Sequence, residues 1–126
     1  MTRRAAVPAL AALAAVAALP AAGSGAAAPK RFQTPSKQIA CMYPAPQLRC
    51  DMLFLNDRAA VVGRHGKGRI VKITDTVADP KARVLAYGRS LRLGPYTCTS
   101  RRTALTCRNR ATKHGFTISR ERRKVF

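Results

Sequence analysis

Four cysteines in this chain form two pairs with identical C-x8-C spacing, and this repeat constrains the fold more than any other feature. The pairs are Cys41 with Cys50 and Cys98 with Cys107. In the ranges 39–43 and 48–54 every second residue is apolar, and the cysteine lies on that apolar face. Such alternation is typical of a half-buried β-strand. Each cysteine pair therefore predicts two adjacent strands of an antiparallel hairpin.

The reversals between the paired cysteines favour local disulfides. Pro44-Ala45-Pro46-Gln47 supplies the first turn, and a turn centred on Arg102-Thr103 supplies the second. Directly opposed residues of a hairpin have β-carbons about 4.5–5.5 Å apart, close enough for a bridge with small adjustment. We therefore predict the disulfides Cys41–Cys50 and Cys98–Cys107, although four cysteines allow three connectivities and the sequence does not exclude the other two. In the chain-entropy model each contributes about 2.7 kcal/mol.

These cysteines do not have the spacing of a metal site or of a redox motif. Zinc needs closely spaced cysteine and histidine ligands, and a redox pair of the usual kind is C-x-x-C. We therefore expect structural bridges, no metal and no other cofactor.

The N-terminus has the pattern of a secretory signal peptide. Arg3 and Arg4 precede an alanine-rich apolar run over residues 5–19, which a zone of small residues follows. The run is shorter than the roughly 20 strongly apolar residues of a membrane span. We assign residues 1–26 to the signal, and we expect a secreted, extracellular protein in which disulfides form.

The rest of the chain has the length of one small domain. Residues 27–34 are small, basic and proline-bearing, so we expect a flexible lead-in before a single β domain over 35–126. The glycine-rich range 63–68 predicts a loop. Short strands separated by turn signals predict an all-β fold, a small antiparallel sandwich or partly open barrel. The predicted strands are 38–43, 48–54, 69–74, 83–87, 90–93, 95–99, 104–108, 115–119 and 123–126.

The chain is strongly basic, with 24 Lys and Arg against 5 Asp and Glu. Net charge of this size bears on solubility and partners rather than on fold. Towards the C-terminus the basic residues concentrate, and we take them as candidate anion-binding residues: Arg101, Arg102, Arg108, Arg110, Lys113, Arg120, Arg122, Arg123 and Lys124. The alternative is a solvated surface that only keeps the domain soluble.

Two histidines raise the possibility of a basic ribonuclease. His114, together with His65 or Glu121 and a lysine such as Lys113, could nominally supply a general base, a general acid and a cation. However, His65 lies in the glycine-rich loop and His114 precedes a strand, where its ring has a structural use. We therefore expect no catalytic residues and no enzymatic activity.

The series of short motifs resembles a family of small secreted actinobacterial proteins with a domain of unknown function. The segments that carry the resemblance are Pro35-Ser36-Lys37-Gln38-Ile39-Ala40-Cys41, Arg49-Cys50-Asp51, Asp75-Thr76, Leu85-Ala86-Tyr87-Gly88, Tyr96-Thr97-Cys98, Leu105-Thr106-Cys107 and Lys113-His114-Gly115-Phe116-Thr117-Ile118-Ser119-Arg120. The resemblance implies a secreted β domain and brings no activity, substrate or site.

This chain departs from the family pattern in three ways. It lacks a further cysteine pair that members carry in the middle, and Lys72 stands at one of those positions. The joint loss of both members indirectly supports local pairing of the remaining four. Lys37 and Lys113 stand where the pattern has glycine, which bears on whether the backbone there takes a conformation that favours glycine.

Taken together, these features predict a secreted, disulfide-stabilised, monomeric domain that binds an anionic cell-wall polymer or a lipid surface at the cell envelope. Sequence-specific nucleic-acid binding is not expected, because few aromatic residues interleave the basic ones. The alternatives are the ribonuclease-like enzyme and an inhibitor or binder of another secreted protein.

Overall fold

A computed structural model describes residues 28–126, which form eleven β-strands and no helix, so this part of the chain contains no helix that could cross a membrane. The strands are β1 (Lys30–Gln33), β2 (Ile39–Tyr43), β3 (Leu48–Met52), β4 (Arg58–Val62), β5 (Arg69–Lys72), β6 (Arg83–Val84), β7 (Ser90–Leu93), β8 (Tyr96–Ser100), β9 (Leu105–Asn109), β10 (Gly115–Ile118) and β11 (Arg123–Val125).

The strands form two sheets that are not closed into a barrel, which confirms the predicted all-β class. Sheet A has six strands in the order β5-β4-β3-β2-β1-β6, and sheet B has five in the order β11-β10-β9-β8-β7. Pairing is antiparallel throughout except between β1 and β6, which are parallel. Since the chain enters sheet B only at β7, each sheet is a continuous stretch of sequence.

Both predicted disulfides are present, and each joins residues that are directly opposed in a hairpin. Cys41 pairs with Cys50 between β2 and β3, and Cys98 pairs with Cys107 between β8 and β9. The two Cα atoms of each bridge are 4.0 Å apart, the short separation of a non-hydrogen-bonded antiparallel pair. All four cysteines are fully buried.

One hydrophobic cluster fills the space between the sheets and includes both disulfides. Alternation places its members: in β8 and β9 the buried residues occupy every second position, including Cys98 and Cys107. The largest side chains of this core are Tyr96, Phe32 and Phe116, all nearly or fully buried. The inner faces therefore carry the apolar residues, and Thr97, Thr99, Thr106 and Arg108 face outward.

The segment 73–82 crosses the outer face of sheet A. It must do so because β5 and β6, which it connects, lie at opposite edges of that sheet. Near its end the Gln33 amide donates to the carbonyl of Ala82 at 2.9 Å. Underneath it the outward-facing residues Ala59 and Val61 of β4 are buried, so both faces of β4 are covered.

A buried ion pair anchors this crossing segment to β3. Arg49 donates to both carboxylate oxygens of Asp51, from Nε at 2.7 Å and from Nη2 at 3.2 Å. Asp51 also accepts from the backbone N–H of Val77 at 2.9 Å, and Arg49 donates to Asp75 at 3.0 Å. The bond to Asp51, and to a smaller extent the one to Asp75, raises the pKa of the Arg49 guanidinium. Both carboxylate oxygens of the buried Asp51 thus accept hydrogen bonds, as burial of a polar group requires.

Three details differ from the sequence predictions. Within the lead-in predicted over 27–34, Lys30–Gln33 instead form β1, which pairs with β2 and β6 and buries Phe32 completely. Strand β4 was not predicted. The strand predicted over 83–87 is confined to Arg83–Val84, after which the chain turns towards sheet B. The proposed signal peptide lies outside the described residues.

Two lysines take up the left-handed backbone conformation that glycine adopts easily. The φ angles are 62° at Lys37 and 70° at Lys113, the two positions at which the resemblance led us to expect glycine. Both lie in tight turns that backbone hydrogen bonds close, from Lys37 N–H to the Thr34 carbonyl and from Lys113 N–H to the Asn109 carbonyl, each 2.8 Å. The geometry is therefore kept despite the side chain, at a steric cost of about 1–2 kcal/mol per position.

Removing Asp51 should release the crossing segment. Asp51→Ala leaves Arg49, whose side chain is 12% exposed, without its main partner. We expect the free energy of unfolding to fall by about 3 kcal/mol, as for other broken buried pairs. Asp75→Ala is the matched control: its side chain is 73% exposed, so its loss should cost about 1 kcal/mol or less. Chemical denaturation measures both, and equal losses would contradict the assignment of Asp51 as the anchor.

Glycine should stabilise the fold more than lysine does at the two positions with a left-handed backbone conformation. We expect Lys37→Gly and Lys113→Gly each to raise the free energy of unfolding by about 0.5–1 kcal/mol, the relieved strain less the added entropy of the unfolded chain. Lys67→Gly removes the same charge from an exposed loop where φ is not positive, so it should give no gain. Thermal unfolding compares the three variants, and a gain at Lys67 alone would refute this explanation.

Candidate anion-binding cleft

A cleft of about 170 Å³ opens at one end of the sandwich, where turns of both sheets meet. Sheet A contributes the β1–β2 turn and Phe54, and sheet B contributes the β8–β9 and β10–β11 turns. The link from β6 to β7 passes the same place and contributes Tyr87. We call this site the arginine cleft and define it by Arg101, Arg102 and Arg120, which line it, together with Arg122 at its outer edge.

Local turns hold the four arginines at the cleft. The backbone N–H groups of Arg101 and Ala104 each donate to the other's carbonyl, at 3.0 and 3.2 Å, which places Arg102 at the tip of the β8–β9 turn. In the β10–β11 turn the Ser119 hydroxyl accepts from the N–H groups of Glu121 and Arg122. This serine turn projects the side chains that follow it to the surface.

Two of the guanidinium groups lie on aromatic rings. The Arg102 guanidinium carbon is 5.0 Å from the centre of the Tyr87 ring, and that of Arg120 is 5.4 Å from the centre of the Phe54 ring. Arg120 also donates to the Gln38 amide oxygen at 2.9 Å. Contact with a ring uses the flat face of the guanidinium and leaves its N–H groups free to donate in the plane. Such a fork matches the oxygens of a carboxylate or phosphate.

The cleft arginines have no acidic partner within 4 Å among residues 28–126. All ion pairs in this range lie in sheet A and its connections, where Arg31, Arg49 and Arg58 bind the aspartates. The only acid near the cleft is Glu121, which shares its lining with the arginines. Positive charge therefore exceeds negative charge at the cleft, as an anion-binding site requires.

A second depression adjoins the cleft and extends onto the outer face of sheet B. It shares Arg101, Arg102 and Glu121 with the cleft and adds Thr106 and Thr117 of the sheet. The cleft and this face of sheet B are thus one connected surface.

The structure divides the nine candidate anion-binding residues into groups. It brings Arg101, Arg102, Arg120 and Arg122 together at the cleft. Arg123 lies beside them and donates to the Arg120 carbonyl at 3.0 Å. Of the remaining four, Arg108 and Lys124 are exposed on sheet B.

Arg110 and Lys113 do not belong to the cleft. Arg110 donates to the carbonyl of Tyr96 at 2.7 Å and to the Thr97 hydroxyl at 3.1 Å, so its guanidinium holds the start of β8. Lys113 lies in the β9–β10 turn, at the opposite end of sheet B.

The sequence analysis missed the aromatic part of the site. Both aromatic residues are accessible at the cleft, since Tyr87 is 38% exposed and Phe54 is only partly buried. The one sequence signal for Tyr87 is its place in Leu85-Ala86-Tyr87-Gly88, a segment that carries the family resemblance. Tyr87 contacts Arg102 because the β6–β7 link and the β8–β9 turn, which are separate in the sequence, meet at the cleft.

Among the residues considered for phosphodiester cleavage, Glu121 lies apart from the neighbouring residues Lys113 and His114. His114 precedes β10 and Glu121 follows it, so strand β10, about 13 Å long, stands between them. His65 is exposed in the loop before β5. No group of three metal-binding side chains occurs in the described residues. Among the described residues, the lining of the arginine cleft therefore combines cations with hydroxyl groups and includes neither histidine.

Fold and site together define a class: a disulfide-braced, two-sheet β protein with a cluster of unpaired arginines at one end. The DUF6636 family of unknown function matches residues 49–126, and the chain belongs to that family. The match runs from the start of the Arg49-Cys50-Asp51 segment to the last strand, so it includes most of the cleft. No curated protein and no solved structure matches the chain.

Proposed function

We propose that this protein binds acidic polymers at the cell envelope, outside the cytoplasm, through the arginine cleft and without catalysing a reaction. The observation that carries the proposal is the grouping of four arginines that have no acidic partner within the described residues, two of them placed on aromatic rings. Charge-assisted hydrogen bonds from arginine to carboxylate or phosphate are about twice as strong as neutral ones.

The distribution of charge supports an anionic partner. Residues 90–126, which form sheet B and its turns, contain ten Lys and Arg residues and one acid, Glu121. The other four acids lie in sheet A or its connections, each within an ion pair. Residues 28–89 carry twelve Lys and Arg against four acids over a longer stretch, so the whole protein attracts polyanions and the density of positive charge is higher on the side of sheet B.

The disulfides support an extracellular place of action. Two bridges in a domain of this size are compatible with an oxidising compartment. The first 26 residues, read as a signal peptide, would bring the chain there. Acidic wall polymers and lipid headgroups are the polyanions that a protein meets at that location.

Neutralising two cleft arginines should weaken polyanion binding. We expect Arg102→Gln/Arg120→Gln to lower affinity for long-chain inorganic polyphosphate about tenfold or more, because each lost charge-assisted contact contributes about 1.5–3 kcal/mol. The dependence of affinity on salt should also become less steep. Titrations at several salt concentrations measure both effects.

The matched control removes the same charge elsewhere. Arg69→Gln/Arg83→Gln changes two exposed arginines on the edge strands β5 and β6 of sheet A, so affinity should change less than threefold. Equal weakening by both double variants would mean that only net charge matters, and the cleft would not be the site. Cleavage of RNA by the protein, lost in His114→Ala, would favour the enzyme instead.

A further inference from the structure

The outer face of sheet B carries a straight row of hydroxyl groups. The strand registers place Ser90 of β7 opposite Thr99 of β8, Thr99 opposite Thr106 of β9, and Thr106 opposite Thr117 of β10. We call these four residues the hydroxyl row. Lys124 of β11 pairs with Thr117 and ends the row. At about 4.8 Å per strand the five positions span about 19 Å.

The hydroxyls bind to one another in two pairs, which fixes their orientation. Ser90 and Thr99 are 2.8 Å apart, oxygen to oxygen, and Thr106 and Thr117 are 2.9 Å apart. In each pair, one O–H group donates to the oxygen of the other hydroxyl. The second O–H group and the remaining lone pairs stay available to a ligand. The row therefore presents both donors and acceptors, as the hydroxyl groups of a sugar chain also do.

Cations flank the row, and no acid lies among the outward residues of the five strands. In the next row Arg92 of β7 pairs with Thr97, and Thr97 pairs with Arg108 of β9. Both arginines are exposed. A ligand along this face would thus meet hydroxyl groups in one row and positive charges beside and beyond them.

The composition of the face argues against a lipid bilayer and against nucleic-acid bases. The exposed large hydrophobic residues are Ile70, Val84, Tyr87 and Val125, and none of these belongs to the outward rows of sheet B. A bilayer-binding surface needs inserted apolar side chains, and a base-binding surface needs exposed aromatic rings.

We propose that the outer face of sheet B binds a linear anionic polysaccharide, whose hydroxyl groups bond to the hydroxyl row while an acidic group occupies the arginine cleft. The binding of an acidic group in the arginine cleft rests on the proposed function of the cleft. The contact of sugar hydroxyl groups with the hydroxyl row rests on the row and its flanking cations alone. The depression that joins the cleft to Thr106 and Thr117 gives such a chain a continuous path.

The test separates hydroxyl contacts from charge by comparing three probes. These are a polyuronate of about twelve sugars, inorganic polyphosphate of matched charge, and single-stranded DNA of matched charge. The variant Thr99→Val/Thr106→Val removes two hydroxyls and keeps β-branched side chains at strand positions, and its unfolding midpoint shows that it is folded. We expect its affinity for the polyuronate to fall at least fivefold, with affinity for polyphosphate unchanged within twofold.

Two further variants make the outcomes distinguishable. Thr74→Val removes an exposed hydroxyl on the side of sheet A and should leave all three affinities unchanged. Arg102→Gln/Arg120→Gln should weaken polyuronate and polyphosphate alike. If the threonine variant binds polyuronate normally, or weakens DNA binding equally, the polysaccharide inference is wrong while the cleft stands. If the arginine variant binds polyuronate and polyphosphate normally while the threonine variant loses affinity for the polyuronate, the cleft proposal is wrong and the inference about the hydroxyl row stands.

Discussion

A disulfide between directly opposed residues fixes the strand register in each sheet, and the rest of the molecule depends on that register. Because side chains alternate between faces, a slip of one residue would exchange the buried and exposed sets of a whole strand. Cys98 and Cys107 both point into the core, so Thr97, Thr99, Thr106 and Arg108 must point outward. The bridge that stabilises the domain thus also determines the composition of its outer face. The equivalent bridge in sheet A turns Asp51 and Arg49 outward, to the side that the crossing segment covers.

The two sheets use their outer faces differently, and their charges follow that difference. Sheet A is covered by the segment 73–82, and the aspartates near it bind arginines that would otherwise be free. Sheet B has no such cover within the described residues, and its single acid is Glu121. Positive charge is therefore denser on sheet B, whose outer face is open to a ligand: residues 90–126 carry ten Lys and Arg against one acid, whereas the longer range 28–89 carries twelve against four.

The sequence was sufficient where apolar residues alternate with others along a strand. Alternation and the cysteine spacing located β2, β3 and the strands of sheet B, and they gave the correct disulfides. The pattern failed at β4, whose residues Ala59, Ala60, Val61 and Val62 are buried on both faces, so no alternation exists. It failed again at β1, where only Phe32 and Gln33 are buried and the flanking residues are basic. The cleft could be predicted as a set of cations but not as a site, since turns far apart in sequence bring Arg102 and Arg120 to Tyr87 and Phe54.

The aromatic contacts of the cleft affect the free energy of binding as well as its location. A free arginine side chain loses about 2 kcal/mol of rotamer entropy when it is fixed on a ligand. Arg102 and Arg120 already lie on rings, and Arg120 is held further by Gln38. Part of that entropic cost is therefore met during folding, and less remains at binding. Glu121 opposes this gain, because its carboxylate lines the cleft and repels an anionic ligand there. A ligand with several acidic groups can contact several guanidinium groups at once and so offset this repulsion better than a single small anion, which suits the cleft to polymers.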